Sequence, residues 1–187
     1  MARYKNIKSS EFKFYKGDLI IFGIYPKNDL AEEIAYRLAK KDKFSIIFNL
    51  EDTVRRNFEI KLNKEDLLGN VYTDDVKRID IEHIESKCYE LSKKVHIPAI
   101  FINCGNEINY TTEELKRLKE LSDNLRTNIV IEFNLRKNKK YPKLDDLENE
   151  DVKNMADVIV LRNDKTDNKS VLAKNKYGKF GILCFDD

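Results

Sequence analysis

Asp18-Leu19-Ile20-Ile21-Phe22-Gly23-Ile24-Tyr25-Pro26-Lys27-Asn28-Asp29 opens as an apolar run and closes as a turn. The run is continuous rather than alternating, which suits a strand covered on both faces, as in a parallel sheet. From Asp29 to about Lys41 a helical pattern follows, with Ala31, Ile34, Ala35 and Leu38 on one face. Strand, turn and helix make half of a crossover unit, and the chain repeats the theme. Further apolar runs are Phe44–Leu50 (FSIIFNL), Ile97–Asn103 (IPAIFIN), Asn128–Phe133 (NIVIEF) and Asp157–Leu161 (DVIVL). Between them, Asp74 to Val95 carries Val76, Ile84, Leu91 and Val95 at helical spacing, with room for a break near Asp80. Thr111–Arg126 opens with Thr111 three residues before Glu114, a capping box, and turns Leu115, Leu118 and Leu125 inward.

Alternating strands and helices predict an α/β fold of three layers on a mainly parallel sheet. The tail differs. Ser170–Ala173 and Phe180–Phe185 flank Lys174–Lys179, which contains Gly178, and read as a C-terminal β-hairpin. Leu135–Tyr141 reads as a polar, basic loop and Asn149–Lys153 as the start of a short helix. No repeat or linker divides the chain, so residues 1–187 are expected to form one domain.

Charged residues reach 36%, yet Lys+Arg and Asp+Glu nearly cancel to a net +2. No global field draws in nucleic acid or an acidic membrane, so any polyanion site must be a local patch. Cys88, Cys104 and Cys184 are scattered without a C-x-x-C pair, and neither His83 nor His96 stands at metal-ligand spacing from them. The expectation is no metal, no disulfide and three thiols in a reducing cytoplasm. A polar, basic N-terminus and the lack of a membrane-length apolar run point the same way.

The turn after the first strand is where an open parallel sheet would hold a phosphate, at a helix N-terminus. A phosphate loop needs G-x-x-x-x-G-K-S/T: converging amides, a lysine charge and a hydroxyl for magnesium. Here Gly23 is followed by Pro26, Lys27, Asn28 and Asp29, and Gly-Lys-Ser/Thr occurs nowhere in the chain. A carboxylate at Asp29 would repel phosphate by roughly 4 kcal/mol at about 4 Å in a partly screened site. Helix capping is the reading favoured for Asp29.

The order of these segments resembles the C-terminal, RecA-like domain of DnaB-type replicative helicases. That resemblance is carried by Gly17–Ile21, the Pro26 turn, Ile47–Glu51 and Ala99–Glu107 in the Walker B position. Thr127–Arg136, Pro142–Leu147, Met155–Val160 and Leu172–Gly178 extend it. It implies a RecA-like P-loop NTPase fold and places two vestigial catalytic positions. Glu51 matches the glutamate that polarises the attacking water. Asn103 stands where the family has a magnesium-holding aspartate, and an amide supplies no such charge. The phosphate-sensing glutamine falls on Phe133 or, with a one-residue slip, Asn134. Lys174 matches a hairpin lysine, and Lys176 replaces an arginine that reaches a neighbouring subunit's phosphate, for which Lys is a weaker substitute. The stretch from Glu51 to Ile97 looks shorter than in the family, and its separate N-terminal domain is missing.

Phosphoryl transfer depends almost wholly on positioning and charge stabilisation. With cradle, lysine and metal carboxylate all lost, the expectation is a catalytically inactive, cofactor-free relic that binds protein or nucleic acid in DNA replication or a mobile element. A replicative helicase is the expected kind of partner. The alternatives are a nucleotide-binding ATPase with a non-standard loop around Gly23–Asp29 and Glu51, and a self-associating module without chemistry. Candidate contacts to a partner or to single-stranded DNA are the basic loop, Arg136, Lys137, Lys139, Lys140 and Tyr141, and the hairpin lysines Lys174, Lys176 and Lys179. Cys104–Glu107 is the remaining polar cluster at a strand end, where Glu107 would face Glu51 across a crevice. The charges of Glu113–Glu120 read as an exposed helical face. His83 and His96 have no nucleophile at a recognisable spacing.

Overall fold

The computed structural model describes residues 6–8, 14–25, 30–48, 52–74, 76, 80–103, 110–135, 139–163 and 170–184. In chain order the elements are β1 (Asn6–Lys8), β2 (Leu19–Tyr25), α1 (Leu30–Ala39), β3 (Ser45–Phe48), α2 (Asp52–Lys64), β4 (Val71–Asp74), α3 (Ile81–Ser92), β5 (Ala99–Asn103), α4 (Thr112–Leu125), β6 (Asn128–Asn134), α5 (Glu150–Met155), β7 (Val158–Asn163), β8 (Ser170–Asn175) and β9 (Gly181–Cys184). The strands form one sheet in the order β1-β9-β8-β7-β2-β6-β5-β3-β4. β8 alone among them runs against the rest, pairing antiparallel with β7 and β9.

Two apolar layers sandwich the sheet. On one face Ala31, Ala35 and Ala39 of α1 and Phe58 and Leu62 of α2 pack on Ile20, Ile47, Phe101, Val130 and Val160. On the other, Ile84 and Cys88 of α3, Leu115 and Leu118 of α4 and Val152 of α5 cover Leu19, Ile46, Ile100, Ile131 and Leu161. This split follows from handedness. The chain moves outward from β2 to β3 to β4 by way of α1 and α2, then returns through β5, β6 and β7 by way of α3, α4 and α5. Right-handed crossovers travelling in opposite directions put their helices on opposite faces.

The three-layer α/β architecture and the hairpin are as the sequence predicts, and α4 has its full capping box at Thr111 and Glu114. The helical pattern over Asp74–Val95 is broken where the sequence allows, near Asp80: the helix is Ile81–Ser92 behind the Asp80 cap, while Asp74 ends strand β4 and Val76 is exposed outside the helix. Helix α2 and strand β1 are additions to the sequence reading. Burial pushes the Cys88 thiol up to about 12, so it is an inert core group.

Candidate functional site

Alternation along parallel strands decides what faces the crevice at their carboxyl ends. On β5, Phe101 points to the α1/α2 layer, so Asn103 two residues on points there too. On β6, Val130 sets the same face for Glu132 and Asn134, and Asn103 and Glu132 are register partners. Both are 5% exposed. Helices α1 and α2, which follow β2 and β3 in the chain, pack on this same face. Neighbouring strands whose chains leave to opposite faces form the ligand crevice of open α/β sheets.

Of the residues expected at this crevice, Pro26, Lys27, Asn28, Asp29, Glu51, Cys104 and Glu107 lie outside the described residues. Asn103 is the last residue of β5. Gly23 is not in the turn: β2 runs on to Tyr25, and Gly23 lies within the sheet between Phe133 and Leu161. A Cβ built on it would stand 2.6 Å from Leu161 Cδ2 and 2.9 Å from Leu135 Cδ2, so close packing is what requires a glycine there. Phe133 belongs to the opposite apolar layer, which leaves Asn134 as the residue on the crevice side. Glu132, a buried carboxylate at the centre of the sheet, escaped the sequence reading because IVIEF passes for an ordinary strand.

A second polar constellation also escaped it. Asp74, at the end of β4 and 3% exposed, accepts from His83 Nε2 at 2.8 Å and from the Val76 N–H at 3.0 Å. Burial raises the Asp74 pKa, but these partners outweigh it and hold the carboxyl below its ordinary range. The His83 ring meets Phe48 edge-on at 6.3 Å. A cleft of about 270 Å³ lies between α1 and α2, lined by Glu32, Glu33, Val54, Asn57, Phe58 and Lys61. Among the described residues, no group of three or more His, Cys, Asp or Glu is placed to hold a metal, and no helix is long and apolar enough to cross a membrane.

The basic loop reaches the same end of the sheet, where the Asn163 amide on β7 donates to the Lys139 carbonyl at 2.8 Å. Arg136 and Lys137 lie outside the described residues. Lys139 is paired with Asp146 at 2.5 Å, and Tyr141 packs partly buried against the core. Lys140 is exposed, its ammonium 5.7 Å from the Tyr141 ring.

The hairpin lysines sit at the opposite, amino end of the sheet. Lys174 Nζ donates to the carbonyls of Lys153 and Asn154 at 2.7 and 2.8 Å, and burial lowers its pKa. Lys176 bridges Asp157 at 2.8 Å and the fully buried Asp18 at 3.1 Å. Lys119 joins Asp157 at 3.0 Å and the Gly17 carbonyl at 2.6 Å. Burial would raise the Asp157 carboxyl, but Lys176, the Leu19 N–H and Lys119 hold it low. Lys174, Lys176 and Lys179 all have partners within the chain, Lys179 from an exposed position at the turn.

No protein-family model matches the sequence, and no curated protein matches it. Solved structures do. One is the ATPase domain of a DnaB-like helicase: 17% identity, TM-score 0.68, with 90% of this chain matching 81% of that one. Another is a DnaB-like replicative helicase studied for its interactions with primase: 16% identity, TM-score 0.63, with 90% of this chain matching 54% of that one. The chain therefore carries, over nine-tenths of its length, the RecA-like fold of DnaB-like helicase ATPase domains.

Proposed function

We propose that this chain is a catalytically inactive domain on the helicase ATPase fold, acting as a protein- or nucleic-acid-binding accessory in DNA replication or a mobile element. The observation that carries this reading is the chemistry of the crevice. Gly-Lys-Ser/Thr occurs nowhere in the sequence, Gly23 fills a packing site inside β2, and the end of β5 presents the amide of Asn103. Without amides, an ammonium and a carboxylate converging on one point, a γ-phosphate gains little from entering. The likeness to helicase domains supports replication as the setting, with a replicative helicase or another replication protein as the partner, in the cytoplasm.

Titrating Mg·ATP while following the melting temperature tests it. A nucleotide held at tenfold its Kd would add about 1.4 kcal/mol. That is a rise of roughly 3–6 °C for a domain of this size. The expected result is no rise. One observation favours a second reading, a nucleotide-binding domain with a non-standard loop: Glu132 offers a buried carboxylate beside Asn103. A melting shift with Mg·ATP that Glu132→Gln abolishes would establish that reading and sink the first.

A further inference from the structure

Strand β8 contains one residue too many for regular pairing with β7. Val160 pairs with Leu172, but its neighbour Ile159 pairs with Lys174, so Ala173 is an insertion in the ladder. Leu172 and Val160 belong to the α1/α2 layer and Ile159 to the α3–α5 layer. Strict alternation would set Lys174 beside Leu172 on the α1/α2 side. The bulge turns it to the other face, and bulges are a known means of re-aiming a side chain. There Lys174 Nζ meets the end of α5 and donates to the carbonyls of Lys153 and Asn154 at 2.7 and 2.8 Å.

The setting of this amine differs from that of its neighbours. Lys87 shows the ordinary case, in which a hydrogen bond to Glu90 raises the pKa. At Lys176 burial opposes the charge, but Asp157 and the other partners prevail and the pKa rises again. Lys174 bonds two neutral carbonyls, and burial, outweighing the pull of Asp157, lowers its pKa. Asp157 is itself held by Lys176 and Lys119, and the Lys153 ammonium by Glu150. Donor counting points the same way. An ammonium has three N–H groups for the two carbonyls, whereas a neutral amine has two and leaves its lone pair in the third position. A desolvated lysine with its neutral form matched in this way is a nucleophile.

We propose that Lys174 is an acyl-acceptor site, taking a small acyl group from an activated carboxylic acid, a thioester or an acyl phosphate. Its half-buried position favours a small group. The Nζ lone pair attacks the acyl carbonyl carbon and forms the C–N bond. The carbon–sulfur or carbon–oxygen bond breaks, its electron pair leaves with the thiolate or phosphate, and one amine proton passes to water. The product amide is uncharged and keeps one N–H for two carbonyls, so acylation loosens the tie between the hairpin and α5. The inference holds whether or not the crevice takes a nucleotide.

The test incubates the full chain near neutral pH with acetyl-CoA in one arm and acetyl phosphate in the other. Mass spectrometry follows acetylation residue by residue, with the exposed Lys43 and Lys93 as internal standards. Lys174 should be acetylated faster than either. A lead in one arm alone names the donor, and a lead in both shows a general acceptor. The lead should vanish in denaturing urea and shrink as pH climbs towards the ordinary lysine value of about 10.4. Lys174→Gln, an uncharged stand-in for the acylated side chain, should lower the melting temperature by roughly 2–4 °C, the effect of one hydrogen bond in a domain of this size. Labelling of Lys174 no faster than both standards in either arm, or a lead that survives urea, overturns the proposal. Unchanged melting of Lys174→Gln overturns the loosened tie.

Discussion

At Gly23 the sheet has no room for a methyl group, because Leu161 and Leu135 close over the position from the α3–α5 side. Gly23→Ala is expected to destabilise by about 1–3 kcal/mol, the range for overpacking a filled core. Chemical denaturation measures it, and an unchanged midpoint would remove packing as the reason for the glycine. At Asn103 the prediction concerns charge. Strands lie about 4.8 Å apart, so Asn103→Asp would face Glu132 and repel it by roughly 3 kcal/mol at an effective dielectric of 20. Protonating either carboxyl relieves the clash, so the loss should be largest at high pH and shrink as pH falls. Recovery on adding Mg²⁺ would instead favour the nucleotide-binding reading. Lys176 gives the opposite pH profile. Asp157 has a depressed pKa in the folded chain, so its contribution is present above about pH 4 and is lost as pH falls through the folded value. Lys176→Met removes the ammonium from Asp18 and one of the two from Asp157, and should cost about 2 kcal/mol near neutrality, below the usual figure for a broken buried pair because the lysine is 36% exposed and Lys119 still faces Asp157. Wild-type and variant stabilities should then converge below about pH 4; parallel curves down to acid would show that Lys176 acts through packing alone.

Among elements, legibility tracked how much of the folding signal is local. Helix α4 could be read because its cap and its inward leucines lie within one short stretch. Thr111→Ala should remove about 1 kcal/mol, seen as a lower denaturation midpoint; no change would mean that burial of Leu115, Leu118 and Leu121 sets the helix end unaided. Helix α2 was missed because its inward side is sparse: Val54, Phe58 and Leu62 recur every fourth residue among charged neighbours, and Ile60 is exposed. Strand β4 went unread because Val71–Asp74 has no apolar run, and only its last residue, Asp74, falls in the expected helical stretch. It is held as a strand by pairing with β3, a tertiary fact. The Asp74–His83 pair could not be read for the same reason, since it forms only when β4 and α3 are brought together. The crevice was half legible. Asn103 follows from segment order, but its pairing with Glu132 depends on the register of β5 against β6, which neither strand carries by itself.

For the whole molecule, the order of segments was more informative than any one of them, because a doubly covered parallel sheet is built from strand–helix units whose handedness leaves few arrangements. The same construction predicts how the chain unfolds. Each central strand contributes to both apolar layers: Ile20 and Leu19 of β2, or Val130 and Ile131 of β6, face opposite helices from adjacent positions. Removing α1 and α2 would bare one face of strands whose other face is still packed, and removing α3–α5 would do the converse. The hairpin adds no separate unit, since Lys176 and Lys174 tie it to β2, β7 and the end of α5. Neither layer can therefore melt alone, and the chain should unfold in one cooperative step as a single domain. Urea transitions followed by far-ultraviolet circular dichroism and by the ring proton resonances of Tyr15 and Tyr177 at the hairpin should superimpose. An earlier transition of those resonances would mean that the Asp18–Lys176–Asp157 network fails to couple the hairpin to the sheet.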